Sequence, residues 1–317
     1  PSQVDYRSQV IDEGVYKPYR QFQREAIYPV IEGYKDSVAF GAHARFSDPI
    51  GFDSLHLTLS YSPDSSLESR ERLHADLVFK HLLWSVGLKY YAGNFYDLFG
   101  PKKRSREGYS LHFDSERPLV YAPPETLYLV TNLAFFDKLD ALPGFQNVPS
   151  PTDQLTEAQI GFVHKYPRSS IGKVDDETGF QWSALLHAYE AEGNVTPSVR
   201  GTFDVGWQLP IRHSSLWLRT GLGVATGEID DPLSNAYFGG FRNNYVDSGE
   251  PKRYRELLSM PGFEIDALNG RSFVKGMLEW NLPPIRFEKF GTPGFYGNWL
   301  RPAIFTTALM TNPESGD

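Results

Sequence analysis

His213 and Ser215 have a spacing that could support attack on an ester bond. In the stretch RHSSLW one residue separates them, so both side chains would point the same way from a strand. A serine becomes a nucleophile when a neighbouring imidazole takes its proton and a third residue orients that ring. The pair lies in a short turn and no Asn follows it, which favours a turn serine beside a solvated histidine. A membrane-embedded esterase is therefore only an alternative, and we predict no catalytic residues and no enzyme.

The other ligand-forming residues lack the spacing of a metal site. The eight histidines include no His-x-His or His-x-x-x-His pair, which argues against zinc. Two acidic runs, 175–177 and 230–231, lack the glycine-punctuated spacing of a calcium loop. The chain also has no phosphate-binding glycine loop and no nucleophile elbow. We therefore predict neither a metal nor a cofactor.

A group of aromatic residues is followed by a basic run in the stretch LKYYAGNFYDLFGPKKRSREGY. At the end of a strand such rings would suit the headgroup level of a membrane, where one side of the ring is apolar and the other wet. Basic side chains just beyond it would pair with phosphates of lipid or lipopolysaccharide. The alternative is a solvated loop. The aromatic residues are Tyr90, Tyr91, Phe95, Tyr96 and Phe99, and the basic residues are Lys102, Lys103, Arg104 and Arg106.

The composition narrows the class of protein. A net charge of −8 argues against a nucleic-acid partner. The absence of cysteine excludes a disulfide scaffold and thiolate metal sites. No apolar run approaches the roughly 20 residues of a membrane helix. Aromatic residues make up 15% of the chain, and 28 Gly with 23 Pro indicate many turns, as in an all-β protein.

Residues of alternating polarity dominate the chain after position 26 and predict about a dozen strands of roughly 8–11 residues. Residues 1–26 are polar and aperiodic, and we expect them to be a linker from an upstream domain. Connections near 47–54, 81–83 and 210–214 are short, whereas those near 62–72, 93–108, 137–154 and 227–270 are long. Two ends with different loop lengths are typical of an up-and-down membrane barrel. The connections near 165–179 and 283–298 break this pattern because they are too long for simple turns.

The alternation allows two opposite folds. In a soluble β-sandwich or barrel the apolar face is turned inward. In a membrane barrel the apolar face meets lipid and the polar face lines a watery lumen. Strand length, asymmetric loops and aromatic strand ends favour the membrane barrel. Packing of Leu57, Trp84, Phe203 and Trp280 in a dry centre would exclude it.

Four stretches resemble the C-terminal barrel of the BamA/TamA-like bacterial surface antigen superfamily. FSDPIGFDSLHLTL at 46–59 resembles its Asp-x-x-Gly corner and the strand that follows. FGGFRNN at 238–244 resembles the Gly-Gly start of the long sixth surface loop. LNGRSFVKGMLEWNLPP at 268–284 and LRPAIFTTAL at 300–309 resemble the next two strands. The stretch at 94–109 is similar to barrels of this kind that follow a TolB-like β-propeller.

The resemblance implies an all-β fold, a transmembrane antiparallel up-and-down β-barrel of sixteen strands. About thirteen of them lie in residues 27–317, which leads us to expect an incomplete chain or a barrel closed by another polypeptide. The family's sixth loop carries an arginine that pairs with acidic residues inside the barrel. The candidates here are Arg253 and Arg255, with Arg242 third, and Glu279 is their expected partner. Thr306 and Thr307 stand where the family often has a second acidic residue.

The function implied by the resemblance is assembly or translocation of proteins at the bacterial outer membrane. The expected partners are lipid, lipopolysaccharide and client proteins that would pair with an edge strand at 27–33. Pro29 weakens that edge because proline cannot donate to a strand ladder. The alternative is a passive channel or a structural barrel subunit of a larger outer-membrane complex.

Overall fold

The computed structural model describes residues 14–94, 106–145, 148–243 and 252–314. Thirteen strands form one antiparallel sheet, in the order β1 to β11, then β15 and β18. Two small sheets pair β12 with β14 and β16 with β17. The strands are β1 Gln23–Tyr34, β2 Ser37–Ser47, β3 Asp53–Tyr61, β4 Leu73–His81, β5 Trp84–Tyr90, β6 Tyr109–Ala122, β7 Glu125–Asp137, β8 Gln154–Arg168, β9 Thr178–Ala191, β10 Asn194–Gln208, β11 Ser215–Ala225, β12 Ala236–Phe238, β13 Gly240–Asn243, β14 Leu268–Gly270, β15 Ser272–Asn281, β16 Ile285–Thr292, β17 Phe295–Leu300 and β18 Ala303–Thr311.

The described part of the chain is therefore all-β, and the only helical pieces in it are 3-10 turns. None of its helices has the length and apolar character that crossing a membrane requires. The predicted all-β class and the up-and-down order of about thirteen strands are confirmed.

The apolar side chains of the main sheet point toward solvent. Trp84 and Trp280 are each 37% exposed and Phe203 is 48% exposed. Leu57 is half-buried and shares their face. These residues therefore do not pack together in a dry centre. We call this the apolar face.

The opposite face of the sheet carries polar side chains that are buried. Glu279 is 0% exposed, and Lys275, Asn281 and Arg219 are also buried. Buried charges beside exposed leucines invert the usual arrangement of a soluble domain, in which charged residues are almost never fully buried unless paired. We call this the polar face.

The connections of the main sheet divide into two ends. One end, the short-connection end, has the connections 48–52, 82–83, 123–124, 169–177, 209–214 and 282–302. The other end, the long-connection end, has the connections 35–36, 62–72, 91–108, 138–153, 192–193 and 226–271. The predicted short and long connections thus lie at opposite ends. The connections predicted near 165–179 and 283–298, which are too long for simple turns, also lie at the short-connection end. The second of them, 282–302, contains the β16–β17 hairpin.

The largest apolar cluster of the described residues lies at the long-connection end, where strand ends of the main sheet meet the connections. It joins Phe136 and Leu142 of β7 and its following connection to Tyr237 and Phe238 of the 226–271 connection, which we call the long loop. Phe273 at the start of β15 closes the cluster, with its ring 4.9 Å from that of Phe238. The long loop is therefore packed into this end of the molecule.

Asp48 organises the corner between β2 and β3. Its carboxylate accepts hydrogen bonds from the backbone amides of Ile50, Gly51 and Asp53 at 3.0, 3.1 and 2.6 Å. The hydroxyl of Tyr16 donates a fourth bond at 2.6 Å. Gly51 has a φ of +81°, a conformation that favours glycine. The Asp-x-x-Gly stretch therefore forms a tight corner, as predicted.

β1 and β18 are the two edges of the main sheet, and no ladder joins them within the described ranges. Gly33 exchanges backbone hydrogen bonds of 2.7 and 2.8 Å with Asn94, on the side of β1 away from β2. Pro29 has the same parity as Gly33, so its missing N–H lies on that free edge. β1 begins at Gln23 and not at 27, so the predicted linker boundary at residue 26 falls inside this strand.

Candidate functional site

Arg255 of the long loop reaches Glu279 of β15 on the polar face. Its Nε donates to both carboxylate oxygens at 3.0 Å, and its Nη2 donates to Oε1 at 2.5 Å. Arg255 lies in a 3-10 turn, Arg253–Arg255, within a loop that leaves the sheet at the long-connection end. Glu279 lies near the opposite end of β15. The tip of the loop therefore extends along the polar face toward the short-connection end.

Two more carboxylates and two more cations complete an ion cluster around this pair. Arg219 of β11 donates to Glu279 at 2.7 Å and to Asp204 of β10 at 2.8 Å. Asp175 of the 169–177 connection accepts both outer nitrogens of Arg255, at 3.2 and 2.8 Å. Lys252 Nζ lies 3.0 Å from Asp175. We call the three carboxylates and the three cations, Arg219, Lys252 and Arg255, the ion cluster, and its formal charges balance.

The balance of charge explains how this cluster can be buried. A buried ion is stable only when partners replace the water that it loses. Burial alone would raise the pKa of Asp175, but hydrogen bonds from Arg255 and Lys252 hold it well below its ordinary value. Asp175 is therefore ionised and binds the loop tip as a carboxylate.

Two further contacts fix the loop tip on the polar face. The Tyr254 ring stacks on Phe305 of β18 at 4.1 Å with an interplanar angle of 5°, and its hydroxyl donates to Glu279 at 2.9 Å. The ammonium of Lys275 donates to the carbonyls of Glu256, Leu257 and Ser259 at 3.0, 2.9 and 2.5 Å. The tip thus bonds to β15, stacks on β18, and shares the carboxylate of Glu279 with Arg219 of β11.

A cavity of about 560 Å³ borders the ion cluster on the polar face. Its lining includes Asp175, Asp204, Arg219 and Arg255 of the ion cluster, together with Lys165 and Gln181. A second cavity of about 530 Å³ lies between the start of β5 and the polar face of β6 and β7. Both spaces can hold water or small polar solutes.

Arg255, one of the three arginines considered for the loop contact, bonds to Glu279. Arg253 lies in the same 3-10 turn, and Arg242 lies in β13. Thr307 faces the polar side, and Thr306 faces the apolar side of β18. The second and third carboxylates come instead from Asp175 and Asp204, on segments far from β18 in the sequence.

The aromatic and basic group falls only partly on described residues. Tyr90 is half-buried, with its ring centroid 4.7 Å from that of Tyr91. Tyr91 is 2% exposed and packs inward with Tyr34. Its ring therefore lies away from the outer surface, where the sequence analysis places it. Arg106 donates to the carbonyls of Ala141 and Leu142 at 3.2 and 3.4 Å. The others, Phe95, Tyr96, Phe99, Lys102, Lys103 and Arg104, lie outside the described residues.

His213 and Ser215 do not form a nucleophilic pair. The imidazole Nδ1 of His213 bonds to Glu177 at 2.7 Å. Ser215 is buried, and its oxygen accepts from the Trp217 indole and the Asn281 amide, each at 3.2 Å. The cavity that both residues border has a volume of about 10 Å³, room for no more than a water molecule. An ester substrate has no space there.

The carboxylates of the acidic run at 175–177 each bind a different set of partners. Asp175 binds Arg255 and Lys252, Asp176 lies 3.2 Å from Lys173, and Glu177 bonds to His213. Asp231 caps a 3-10 turn by accepting from the Leu233 amide. Over the described ranges, no three metal-ligating side chains come together.

Four members of the ion cluster were missed by sequence reasoning: Asp175, Asp204, Arg219 and Lys252. Asp204 and Arg219 have the strand parity of polar-face residues, so alternation places them on the correct face. Their pairing depends on neighbouring strands, and Asp175 comes from a connection whose path has no local signal. The sequence matches none of the protein-family models, and no curated protein matches it.

Proposed function

We propose that this chain forms the wall of an outer-membrane β-barrel, with its apolar face in lipid and its polar face lining the lumen. The observation that carries this proposal is the inverted distribution of polarity on the thirteen-stranded sheet. Large apolar side chains are exposed along one face, whereas the charged side chains of Arg219, Lys275 and Glu279 are buried on the other. Lipid removes the cost of exposing the first group to water.

The aromatic residues of the apolar face support the same proposal. Trp84, Trp207 and Trp280 lie at the short-connection ends of their strands, and Tyr61 and Tyr109 lie at the other end. Aromatic rings at both boundaries of an aliphatic band are typical of membrane barrels. From Leu216 to Val224 the apolar positions of β11 cover about 26 Å of strand. A tilt of roughly 40° gives about 20 Å of height, near the ~25 Å of such bands.

The long loop then occupies the lumen. Its tip is held to the wall by the ion cluster, and its base packs against the apolar cluster at the long-connection end. A freely open pore does not fit this arrangement, because the tip lies across the polar face of β11, β15 and β18. The cavity of about 560 Å³ beside the tip and the second cavity of about 530 Å³ on the β3–β8 part of the sheet favour a passive channel as the second candidate.

Assembly or translocation of proteins is the function that this architecture supports best. The Asp48 corner and the bond between Arg255 and Glu279 agree with the BamA/TamA-like resemblance. Pro29 on the free edge of β1 leaves a gap in the donors available to a neighbouring strand, which suits a seam that must open. A client strand would add to this edge by β-augmentation. Since an open edge is costly in lipid, both β1 and β18 need a partner strand in the membrane.

The seam is tested by photo-crosslinking in the bacterial outer membrane. A crosslinker at Ile27 or Ile31 of β1 should capture nascent outer-membrane proteins, and one at Leu186 of β9 serves as the matched control on the opposite wall. Crosslinks only at Leu186 would contradict the proposal. Ion conductance by the full-length protein in planar bilayers, with no crosslink at β1, would favour the passive channel.

A further inference from the structure

The 169–177 connection bridges the β16–β17 hairpin and the ion cluster. Arg301, at the base of the hairpin, donates to the carbonyl of Val174 at 3.0 Å. Arg286 of β16 bonds to the carbonyl of Gly172. Asp175 follows Val174 directly in the chain, and its carboxylate accepts hydrogen bonds from both terminal nitrogens of Arg255 in the long loop. A hairpin arginine therefore fixes the backbone unit next to the carboxylate that holds the loop tip.

Glu177 anchors the other side of this connection. Its carboxylate bonds to His213 at 2.7 Å, to the Ser170 amide at 2.8 Å and to the Ser170 hydroxyl at 3.0 Å. The Glu177 side chain is 4% exposed. The connection is therefore held on both sides of Asp175, by Arg301 at Val174 and by the bonds of Glu177.

The contact between the hairpin and Asp175 is tightly packed, since Asp175, Asn281 and Arg301 border a cavity of only about 10 Å³. Asp175, Lys252 and Arg255 also line the larger cavity of about 560 Å³. The packed contact passes a shift of Arg301 to Asp175, and the larger cavity gives that carboxylate room to leave Arg255.

We propose that Arg301 and Asp175 form a relay that couples the position of the β16–β17 hairpin to the hold on the long loop. This inference rests on the proposed function, in which the long loop occupies the lumen. When the hairpin leaves the 169–177 connection, Asp175 withdraws from the ion cluster. Three cations then face only Glu279 and Asp204, so the loop tip is held less tightly.

Hydrogen–deuterium exchange of the full-length protein in detergent tests this relay. Arg301→Met removes the donor to Val174 without touching the long loop. We expect amides 252–260 to exchange about fivefold faster or more, the lower range of coupling between sites. Arg301→Lys, which keeps a donor, should restore slow exchange. Arg212→Met, an exposed arginine at the same end, is the control and should change nothing.

The decisive comparison repeats Arg301→Met in an Asp175→Asn background. If the relay runs through Asp175, the second substitution adds no further acceleration at 252–260. Equal acceleration in both backgrounds, no acceleration in Arg301→Met alone, or acceleration that extends to β9 and β10 would overturn the relay. Because exchange is read without a client or a bilayer, its failure is distinguishable from failure of the crosslinking that tests the proposed function.

Discussion

Glu279 is the residue on which the contacts of the loop tip converge. It accepts hydrogen bonds from Arg219 of β11 and from Tyr254 and Arg255 of the long loop, while being 0% exposed. A carboxylate in that position is stable only because these donors replace water. Glu279 is thus the acceptor that joins wall and loop.

Glu279→Gln should therefore be strongly destabilising. Removal of one partner from a buried ion pair costs about 3–5 kcal/mol, because the remaining charges lose their compensation. The free energy of unfolding in detergent micelles, followed by tryptophan fluorescence, measures this loss. Glu314→Gln is the matched control, since Glu314 is 68% exposed and its pair with Arg271 spans 3.7 Å. Equal stability of Glu279→Gln and the wild type would contradict the role of the ion cluster.

The hydrogen-bonded carboxylate of Asp48 at the β2–β3 corner should make the stability of the folded protein depend on pH. Burial would raise its pKa, but hydrogen bonds from Tyr16 and from the amides of Asp53, Ile50 and Gly51 hold it below the ordinary value. A lowered folded pKa gives stability that is present above the unfolded value of about 3.9 and is lost as pH falls through the folded value.

Asp48→Asn should accordingly lower the unfolding temperature at neutral pH. The difference from the wild type should stay constant down to about pH 5 and shrink below about pH 4. There the carboxylate of the unfolded wild-type chain takes up a proton while the folded one is still ionised, and the loss continues until the folded carboxylate is protonated as well. Thermal unfolding of both proteins between pH 2 and pH 7 measures this. A difference that does not change with pH would show that the charge of Asp48 is not involved.

At the scale of elements, the long loop and β15 depend on Lys275. Its ammonium donates hydrogen bonds to three backbone carbonyls of the loop, those of Glu256, Leu257 and Ser259. These bonds hold the turn that follows the Arg253–Arg255 segment. The strand therefore shapes the loop as well as binding it.

Lys275→Met should expose the loop tip to trypsin, which cleaves after Lys252, Arg253 and Arg255. Hydrogen bonds to a charged group contribute about 1.5–3 kcal/mol each, so loss of the ammonium should speed cleavage about tenfold or more. The cleavage rate on intact protein in detergent, resolved by mass spectrometry, is the measurement. Lys80→Met, on the polar face of β4, is the control. Unchanged cleavage in Lys275→Met would mean that the ion cluster alone holds the tip.

For the whole molecule, the environment of the apolar face decides the effect of an added charge. Leu218 and Leu216 both lie on that face of β11, Leu218 further into the strand and Leu216 at its short-connection end. In a bilayer, Leu218→Arg should cost about 2–4 kcal/mol, whereas Leu216→Arg near the boundary should cost about 0–1 kcal/mol. Unfolding from lipid vesicles measures both. If both substitutions cost the same small amount, the apolar face does not contact hydrocarbon.

Strand structure was largely predictable, because alternation is a local property of the chain. The patterns at 38–46, 55–61 and 274–282 correspond to β2, β3 and β15. The first half of β10 was missed, since Pro197 and Gly201 interrupt its alternation. The β16–β17 hairpin was missed because three glycines and Pro293 interrupt its alternation and its ladder shifts register between Arg286 and Phe290.

The sequence by itself determined that the protein is all-β, which residues share a face of each strand, and that Arg255 and Glu279 were candidates for contact. Only the tertiary structure decided that the apolar face is exposed. It also decided that Arg255 and Glu279 form one ion cluster with Asp175, Asp204, Arg219 and Lys252. The physical reason is range. Side-chain alternation repeats every two residues, whereas burial and ion pairing depend on segments that fold together from distant parts of the chain.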